Sequence, residues 1–483
     1  MSGPGLPPGG FRWVEPGSDP AAGAVGGHGR RRGWWIAAAV IVVVALAVGG
    51  VLAWRFKHGG AQRAEAVIGT PKNLLVSFSL QHQPVPGWRL TPADIGLPAG
   101  SSAGMLIFSR GENAYFLAND CAAGFCDHPY TGFIYGINIR TGARLFAPVP
   151  MPGVINASEC RSNGPSTVVC VTSDVNDKSQ AWVIDVDRGA VIYTGPTQLP
   201  TAGIHPVGEL YGVTRIVDQA ETYDVGPGTG AYGVGAHAER TWYVPGDGSA
   251  HVPGYLKVND LPSLTVATES SGDGKPDRVF SVVDGHDMTP TAPPGASLDH
   301  ATVYNGGFAY QFTQGANAGV LMYDNSGRLQ SVQQPERIHL MDNVAMPTVL
   351  KGNSWQVYTA VGDLVLEIPA TDVVATFKTI GTTLLVQKGN DSHHLEGYPW
   401  QQWDLLTGKP AGPDCTVDLG SYVGSDGHVV IIRDDDDHTL AVDLMTCQTL
   451  WTWPKNINIW KAGTGLIESD FDARTVMSLH APN

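Results

Sequence analysis

Charged side chains are scarce in this 483-residue chain, at 16% against the roughly 25% usual for soluble domains. Basic residues are scarcer still, since 30 Lys and Arg face 45 Asp and Glu for a formal charge of −15. That balance excludes nucleic acid as a partner, because neutralising phosphates needs a basic face. From residue 70 onward there is no long apolar stripe of period 3.6, which argues against a helical domain. HExxH and P-loop patterns are missing, and the single GxSxG match at Gly100–Gly104 and single GxGxxG match at Gly228–Gly233 are not followed by the apolar helical pattern that a nucleophile elbow or a dinucleotide fold requires, so no hydrolase, metalloprotease or nucleotide site is written in the chain. What is abundant is turn chemistry: 60 Gly and 34 Pro stand beside 43% hydrophobic residues, which is too apolar for a disordered polymer.

Residues 1–33 hold 15 Gly or Pro and two aromatics with no apolar alternation, so they are expected to form a disordered tail. Trp34 to Trp54 follows as 21 residues without a charge. At ~1.5 Å per residue this run spans a bilayer core of about 30 Å and is expected to be a transmembrane helix. Trp34, Trp35 and Trp54 sit where an aromatic belt belongs, and Arg30, Arg31 and Arg32 precede the run as a positive-inside signal, weakened but not reversed by Arg55, Lys57 and Arg63. The competing reading, a cleaved signal peptide, has an apolar region of only about 7–15 residues after a short basic start. Here the run is longer and starts later. No Cys follows it to carry a lipid, so an uncleaved single-pass anchor is expected, with the tail cytoplasmic and the rest outside the cell membrane. Residues 55–69 then form a linker and 70–483 an ectodomain.

All six cysteines, Cys121, Cys126, Cys160, Cys170, Cys415 and Cys447, fall in that exported part, where an even number indicates disulfides. Cys160 and Cys170 flank the turn Ser162-Asn163-Gly164-Pro165 between two β-prone runs, a hairpin across which they face each other. Cys121 and Cys126 close a small loop, and Cys415 and Cys447 are left for one another. A metal cluster at Asn119-Asp120-Cys121 and Cys126-Asp127-His128 is the alternative. It is less favoured, because thiolate–metal sites belong mainly to reducing compartments and the spacing is not that of a zinc knuckle.

A phrase of apolar residues, an Asp or Asn, a turn and a return strand recurs at 135–146, 182–194, 320–332, 364–377, 401–412 and 440–451, with looser copies at 241–252 and 280–290. Its anchors are Asn138, Asp185, Asp324, Glu367, Asp404 and Asp443. A period near 40 residues with one hairpin per copy indicates propeller blades. The anchor caps the tight turn through backbone N–H groups, while Gly142, Gly189, Gly327 and Gly408 supply a permissive backbone. The phrase resembles the PQQ-like repeat of quinoprotein-type β-propellers, best at INIRTG (137–142), WDLLTG (403–408) and VDLMT to Trp451. The resemblance implies an all-β propeller of bacterial envelope type, here of seven or eight blades, with Leu74–Leu80 as a strand that closes the ring. Quinoprotein dehydrogenases of that superfamily pair their cofactor with a disulfide between adjacent cysteines and a calcium site. No two Cys are adjacent here, so no quinone cofactor is expected, and Trp403, Trp451 and Trp453 are expected to pack between blades.

One loop resembles the calcium loop of FG-GAP repeats, Glu269-Ser270-Ser271-Gly272-Asp273-Gly274-Lys275-Pro276-Asp277. By that match Glu269, Ser271, Asp273 and Asp277 are the Ca²⁺ ligands, against the competing reading of a plain turn. Asp434 to Asp437 with His438 lies between two apolar runs, at a hairpin tip, and reads as a solvated loop. His286, His393 and His394 have no placed partner in sequence. The function expected is a non-catalytic scaffold or interaction module for envelope proteins, anchored in the membrane through 34–54. The alternatives are a quinoprotein-like oxidoreductase, a hydrolase and a sensor of a small ligand. A membrane-impermeant thiol reagent applied to intact cells should label the chain weakly before reduction and strongly after it. Strong labelling without reductant contradicts the disulfides, and labelling confined to lysed cells contradicts the orientation.

Overall fold

Successive short strands with apolar residues at nearly every position need cover on both sheet faces, and a ring of sheets packed face to face provides it. The computed structural model describes residues 67–120, 130–154, 160–173, 178–199, 215–216, 230–246, 265–268, 276–342, 344–370, 374–388, 399–417, 419, 422–434, 438–455, 457–470 and 473–482. The tail at 1–33, the apolar run at 34–54 and the Cys121–Cys126 loop lie outside the described residues. Among those described, no helix is long and apolar enough to cross a membrane.

Among the described residues nine antiparallel sheets follow one another along the chain. Blade 1 is Met105–Arg110, Asn113–Asn119, Thr131–Asn138 and Val149–Pro152. Blade 2 is Cys160–Ser162, Thr167–Ser173, Ser179–Asp185 and Ala190–Pro196. Blade 3 shows Arg215–Ile216, Gly230–Val234 and Arg240–Pro245, and blade 4 shows Thr265–Thr268 and Arg278–Ser281. Blade 5 is Ser297–Tyr304, Gly307–Gln314, Asn317–Asp324 and Leu329–Glu336. Blade 6 is Ile338–Leu340, Thr348–Lys351, Ser354–Tyr358 and Leu364–Pro369. Blade 7 is Val374–Ile380, Thr383–Lys388, Trp400–Asp404 and Lys409–Pro410. Blade 8 is Tyr422–Ser425, Val429–Arg433, Thr439–Asp443 and Thr449–Trp453. Blade 9 takes Ile457–Ala462, Gly465–Asp470 and Thr475–His480 from the C-terminal end and Val85–Leu90 from near the start as its outer strand.

The core is divided in the same way. Nine apolar clusters each join two neighbouring sheets, for example Phe108, Tyr115 and Ile134 of blade 1 with Cys160, Val168 and Ile184 of blade 2. The cluster that joins Ala462, Ile467 and Val476 of blade 9 to Phe116, Tyr135 and Ile137 of blade 1 closes the ring. First strands of adjacent sheets approach one another while the fourth strands are largely exposed, so the first strands are innermost. Inner hairpin turns touch backbone to backbone: at Gly463, with φ of 52°, an added Cβ would stand 2.1 Å from the Gly111 carbonyl oxygen of blade 1, so only glycine fits.

This corrects the expected seven or eight blades to nine. The eight recurring phrases fall one in each of blades 1 to 8. Blade 9 carries none, because its outer strand is Val85–Leu90, which lies far upstream of its third strand in the chain. The expected closing strand is corrected too. Leu74–Leu80 is not a strand; a 3-10 turn at Lys72–Leu74 leads into an extended strap, and Val85–Leu90 makes the closing ladder, with Val85 opposite His480 and Leu90 opposite Val476. The strap bonds one blade after another: Thr70 N–H donates to Gly381 O (2.8 Å) on blade 7, Val76 N–H to Ser425 O (2.7 Å) on blade 8, and Ser77 N–H to Thr464 O (2.8 Å) on blade 9. Leu74, Val76 and Leu80 are buried beneath it, and Trp451 Nε1 donates to Leu80 O at 2.8 Å.

Two cysteine pairs are joined as the sequence suggested. Cys160 and Cys170 face each other in register on the first two strands of blade 2, with Cα atoms 4.0 Å apart. Cys415, beside the third strand of blade 7, joins Cys447 in a turn of blade 8, with Cα atoms 5.4 Å apart. This second pair staples neighbouring blades near the seam.

Glu468 lies buried in the second strand of blade 9, and burial, helped by the nearby Asp470 charge and opposed by Arg89, raises its carboxyl above the ordinary value of 4.5. A carboxyl raised in the fold contributes stability that is complete below the unfolded value and is lost as pH climbs through the folded value. Glu468→Gln removes the cost of the charge. It should raise Tm relative to the parent at about pH 7.5 and give no gain at about pH 4. An equal gain at both pH values would refute the assignment.

Candidate functional site

The first-to-second and third-to-fourth strand turns lie on one face of the ring, here the turn face, because each pair is bonded together. Ile139 N–H donates to Glu112 O, Val186 N–H to Ser166 O, Leu405 N–H to Thr382 O and Leu444 N–H to His428 O, at 2.8–2.9 Å. The remaining connections form the opposite, loop face.

On the turn face the anchors do what their residue type predicts. Asn138 Oδ1 accepts from the N–H groups of Arg140 and Thr141 at 3.2 and 3.1 Å. Asp185 Oδ1 accepts from Asp187 and Arg188, both at 3.0 Å. Asp404 accepts from Leu406 N–H (2.8 Å) and Thr407 Oγ1–H (2.9 Å), bonds that hold its carboxyl below the ordinary range. Burial pulls Asp443 upward, but bonds from the strap's Gln81 Nε2 (2.8 Å) and from Thr446 outweigh it and hold the carboxyl low. Asp324 joins Ser326 and Arg328 in the same manner.

One anchor and one looser copy differ from expectation. Glu367 lies in the outer strand of blade 6, where it accepts from Ser354 Oγ–H at 2.7 Å. The turn itself is capped by Thr359, whose Oγ1 accepts from Asp363 N–H at 3.1 Å. A hydroxyl had replaced the carboxylate, so the phrase read one strand late. The copy at 241–252 likewise falls on the outer strand of blade 3, whereas in the 280–290 copy Ser281 caps the turn of blade 4.

Of the candidate calcium ligands, Asp277 alone falls among the described residues. Glu269, Ser271 and Asp273 are outside the described residues. Asp277 is engaged structurally: its Oδ2 accepts from Ala301 N–H (2.8 Å) and its carbonyl from Tyr310 Oη–H (2.8 Å), which ties blade 4 to blade 5. Asp434 accepts from His438 N–H at 2.8 Å across a hairpin tip, while Asp435–Asp437 are outside the described residues, as are His393 and His394. His286 is exposed in the turn of blade 4, with its N–H on Asp284 at 3.1 Å. Among the described residues no group of three or more His, Cys, Asp or Glu side chains is placed to hold a metal ion. The tryptophans pack as the repeat implied: Trp451 and Trp453 are buried edge to face at 4.6 Å, and Trp403 lies against the cluster between blades 6 and 7.

Sequence reasoning did not single out the innermost strands. His300 of blade 5 and His339 of blade 6 bring their rings to 5.7 Å, with His300 Nε2 3.0 Å from Leu340 O and 3.8 Å from Asp342. Lys378 of blade 7 is half-buried, and desolvation lowers its ammonium pKa. The signal was present as polar residues interrupting apolar runs, in SLDHATVY and IHL, but which strand is innermost is a property of the assembled ring.

Because Asp277 caps the Ala301 N–H, Asp277→Ala should cost about 1 kcal/mol with or without calcium. Asp273→Ala should change Tm only in millimolar Ca²⁺, if the loop binds the ion and the ion thereby stabilises the native state. Scanning calorimetry in chelator and in Ca²⁺ separates the two; no Ca²⁺ shift in the parent leaves the loop a turn.

Comparison with known proteins agrees with the count of nine. Residues 60–482 match the model of a conjugation-associated nine-bladed β-propeller domain. An uncharacterised protein of Mycolicibacterium smegmatis (strain MKD8) is 28% identical over 443 residues, covering 85% of this chain and 88% of its own. Among solved structures, BamB from Moraxella catarrhalis aligns at 11% identity and a TM-score of 0.29, over 82% of this chain and 100% of its own. The computationally designed Ika8 protein aligns at 11% identity and a TM-score of 0.36, over 66% and 95%. With nine sheets, nine inter-blade cores and a family match over most of its length, this chain belongs to the conjugation-associated nine-bladed β-propeller family.

Proposed function

We propose that the chain is a non-catalytic scaffold that docks proteins of a conjugative DNA-transfer apparatus outside the cell membrane, to which residues 34–54 anchor it. The observation that carries the reading is the use made of the recurrent polar residues. Asn138, Asp185, Asp324, Asp404 and Asp443 spend their side-chain oxygens on backbone N–H groups of their own turns, which fixes the turn face as a rigid platform. A rigid ring that displays loops is a geometry suited to protein partners. The conjugation association of the family supplies the process. The uncharged run Trp34–Trp54 behind Arg30–Arg32 supplies the anchor, and the PQQ-like phrase accounts for the blades without requiring a quinone.

Deletion of the gene from a donor strain should lower transfer frequency at least tenfold. The full chain should restore transfer, and a chain lacking residues 1–66 should not. Proximity labelling from the loop face during mating should mark proteins of the transfer apparatus. Unchanged transfer after deletion overturns the scaffold role, rescue by the shortened chain overturns the anchor, and quinone-dependent dye reduction above a heat-killed control overturns the non-catalytic reading.

A further inference from the structure

We propose that Cys415–Cys447 is a thiol–disulfide exchange site, opened by a dithiol that attacks Cys447 Sγ, whereas Cys160–Cys170 is inert; the inference is independent of the scaffold reading. Both cysteines of the blade 2 pair are 0% exposed. Of the second pair only Cys415 is buried, while Cys447 is partly exposed in the turn of blade 8. Met445, Thr446 and Gln448 beside it are exposed, as are Pro413 and Asp414 across the blade boundary. A thiolate therefore has access to one sulfur of this pair and to neither of the other.

The backbone marks Cys447 as well. Four residues after the turn anchor, blades 1, 4 and 7 place Gly142, Gly285 and Gly408 at φ of 72°, 70° and 67°, each donating its N–H to the anchor's carbonyl at 2.8–2.9 Å. Cys447 takes the same position in blade 8, at φ of 57°, with its N–H on Asp443 O at 2.8 Å. Glycine holds this left-handed conformation freely and a cysteine does not, so the side chain at this turn position is kept against the preference of the backbone.

The groups around the sulfurs suit two thiols better than a disulfide. Pro413 O lies 3.8 Å from Cys447 Sγ, and Leu444 O lies 3.9 Å from Cys415 Sγ and 4.0 Å from Cys447 Sγ. Gln402, 1% exposed, donates from Nε2 to Leu444 O, to Pro413 O (3.1 Å) and to Cys415 Sγ (3.3 Å), and its Oε1 is buried without a donor among the described residues. A disulfide has no hydrogen to offer these acceptors, whereas each thiol brings one. The oxidised form thus leaves a buried acceptor unpaired next to a bond whose cleavage supplies donors.

The same amide serves the exchange. As the attacking thiolate bonds to Cys447 Sγ, the bond to Cys415 breaks and its electron pair leaves on Cys415 Sγ, where Gln402 Nε2 already donates. That thiolate takes a proton from water. The dithiol's second thiolate then displaces Cys447, which is protonated in turn, so the dithiol departs oxidised and the chain holds two thiols. Reduction unfastens the blade 8 turn from blade 7, while the apolar cluster of Leu385, Trp400, Val430 and Val442 continues to join the two blades. Gln402 is a positioning residue in this step.

The test exposes the full oxidised chain in detergent micelles to limiting dithiothreitol, quenches with a maleimide and reads each cysteine peptide by mass spectrometry. Cys415 and Cys447 should be labelled about tenfold sooner than Cys160 and Cys170. With glutathione in place of the dithiol, the mixed disulfide should be found on Cys447, and the reduced chain should keep the β-sheet circular dichroism of the oxidised one. Gln402→Met, which conserves volume but removes the amide, should slow opening about threefold while Cys160–Cys170 stays protected. Equal labelling of the two pairs, a glutathione adduct on Cys415 instead of Cys447, or loss of the β signal on reduction each overturns the proposal. An unchanged rate in Gln402→Met with Cys160–Cys170 protected overturns the role given to the amide. If that variant loses the protection it is misfolded, and the ratio of rates in the parent decides.

Discussion

The whole ring depends on one antiparallel ladder between segments almost four hundred residues apart. Val85–Leu90 pairs with Thr475–His480, and Trp88 N–H reaches Ser478 Oγ at 3.2 Å across a separation of 390 residues. Every other blade forms from contiguous chain, and its hairpins close at small entropic cost. Without this closure blade 9 would lack its outer strand and blade 1 would lose the neighbour that buries Phe116, Tyr135 and Ile137. The strap strengthens the same seam, since it bonds to blades 7, 8 and 9 in turn and places Leu74, Val76 and Leu80 in the gaps. The Cys415–Cys447 pair, which joins blade 7 to blade 8, lies in the same third of the ring.

The turn anchors show how a polar residue can recur throughout a fold for architectural reasons. A third strand that ends at the ring's edge must reverse within a few residues, and its first free N–H groups need acceptors. An Asp or Asn at the last strand position supplies one oxygen to two donors, as Asp185 does, while Ser281 and Thr359 each accept one N–H of the turn with a hydroxyl. Because these acceptors are consumed locally, differences between blades appear at the neighbouring positions: the residue after the anchor packs inward, and the next faces outward as Arg140, Leu406 or Met445. The chemistry of the turn face is set there.

The anchors at Asn138, Asp404 and Asp443 and the hairpin pair Cys160–Cys170 were legible because each rests on contacts within a few residues. Glu367 was misplaced for the converse reason. Leu364–Pro369 alternates much like a third strand, and the true cap at Thr359 carries a hydroxyl that no Asp-based pattern detects. Of the loop read as a calcium site, only Asp277 falls among the described residues with a bond across blades, to Ala301 N–H, and nothing in a turn-like run of Gly and Asp announces that partner. The facing of His300 and His339 was equally hidden, since they belong to different blades and meet only where two innermost strands converge.

By itself the sequence determined the all-β repeat, its turn chemistry, the location of its cysteines and the uncharged run ahead of the repeats, because periodicity, capping and hydrophobic length are local quantities. Only the tertiary structure decided the number of blades, the strand that closes them and the face on which the strap lies. Eight phrases were countable along the chain, but a ring closes when its inter-blade angles sum to a full turn, and the ninth blade is assembled from both ends of the chain and leaves no phrase to count.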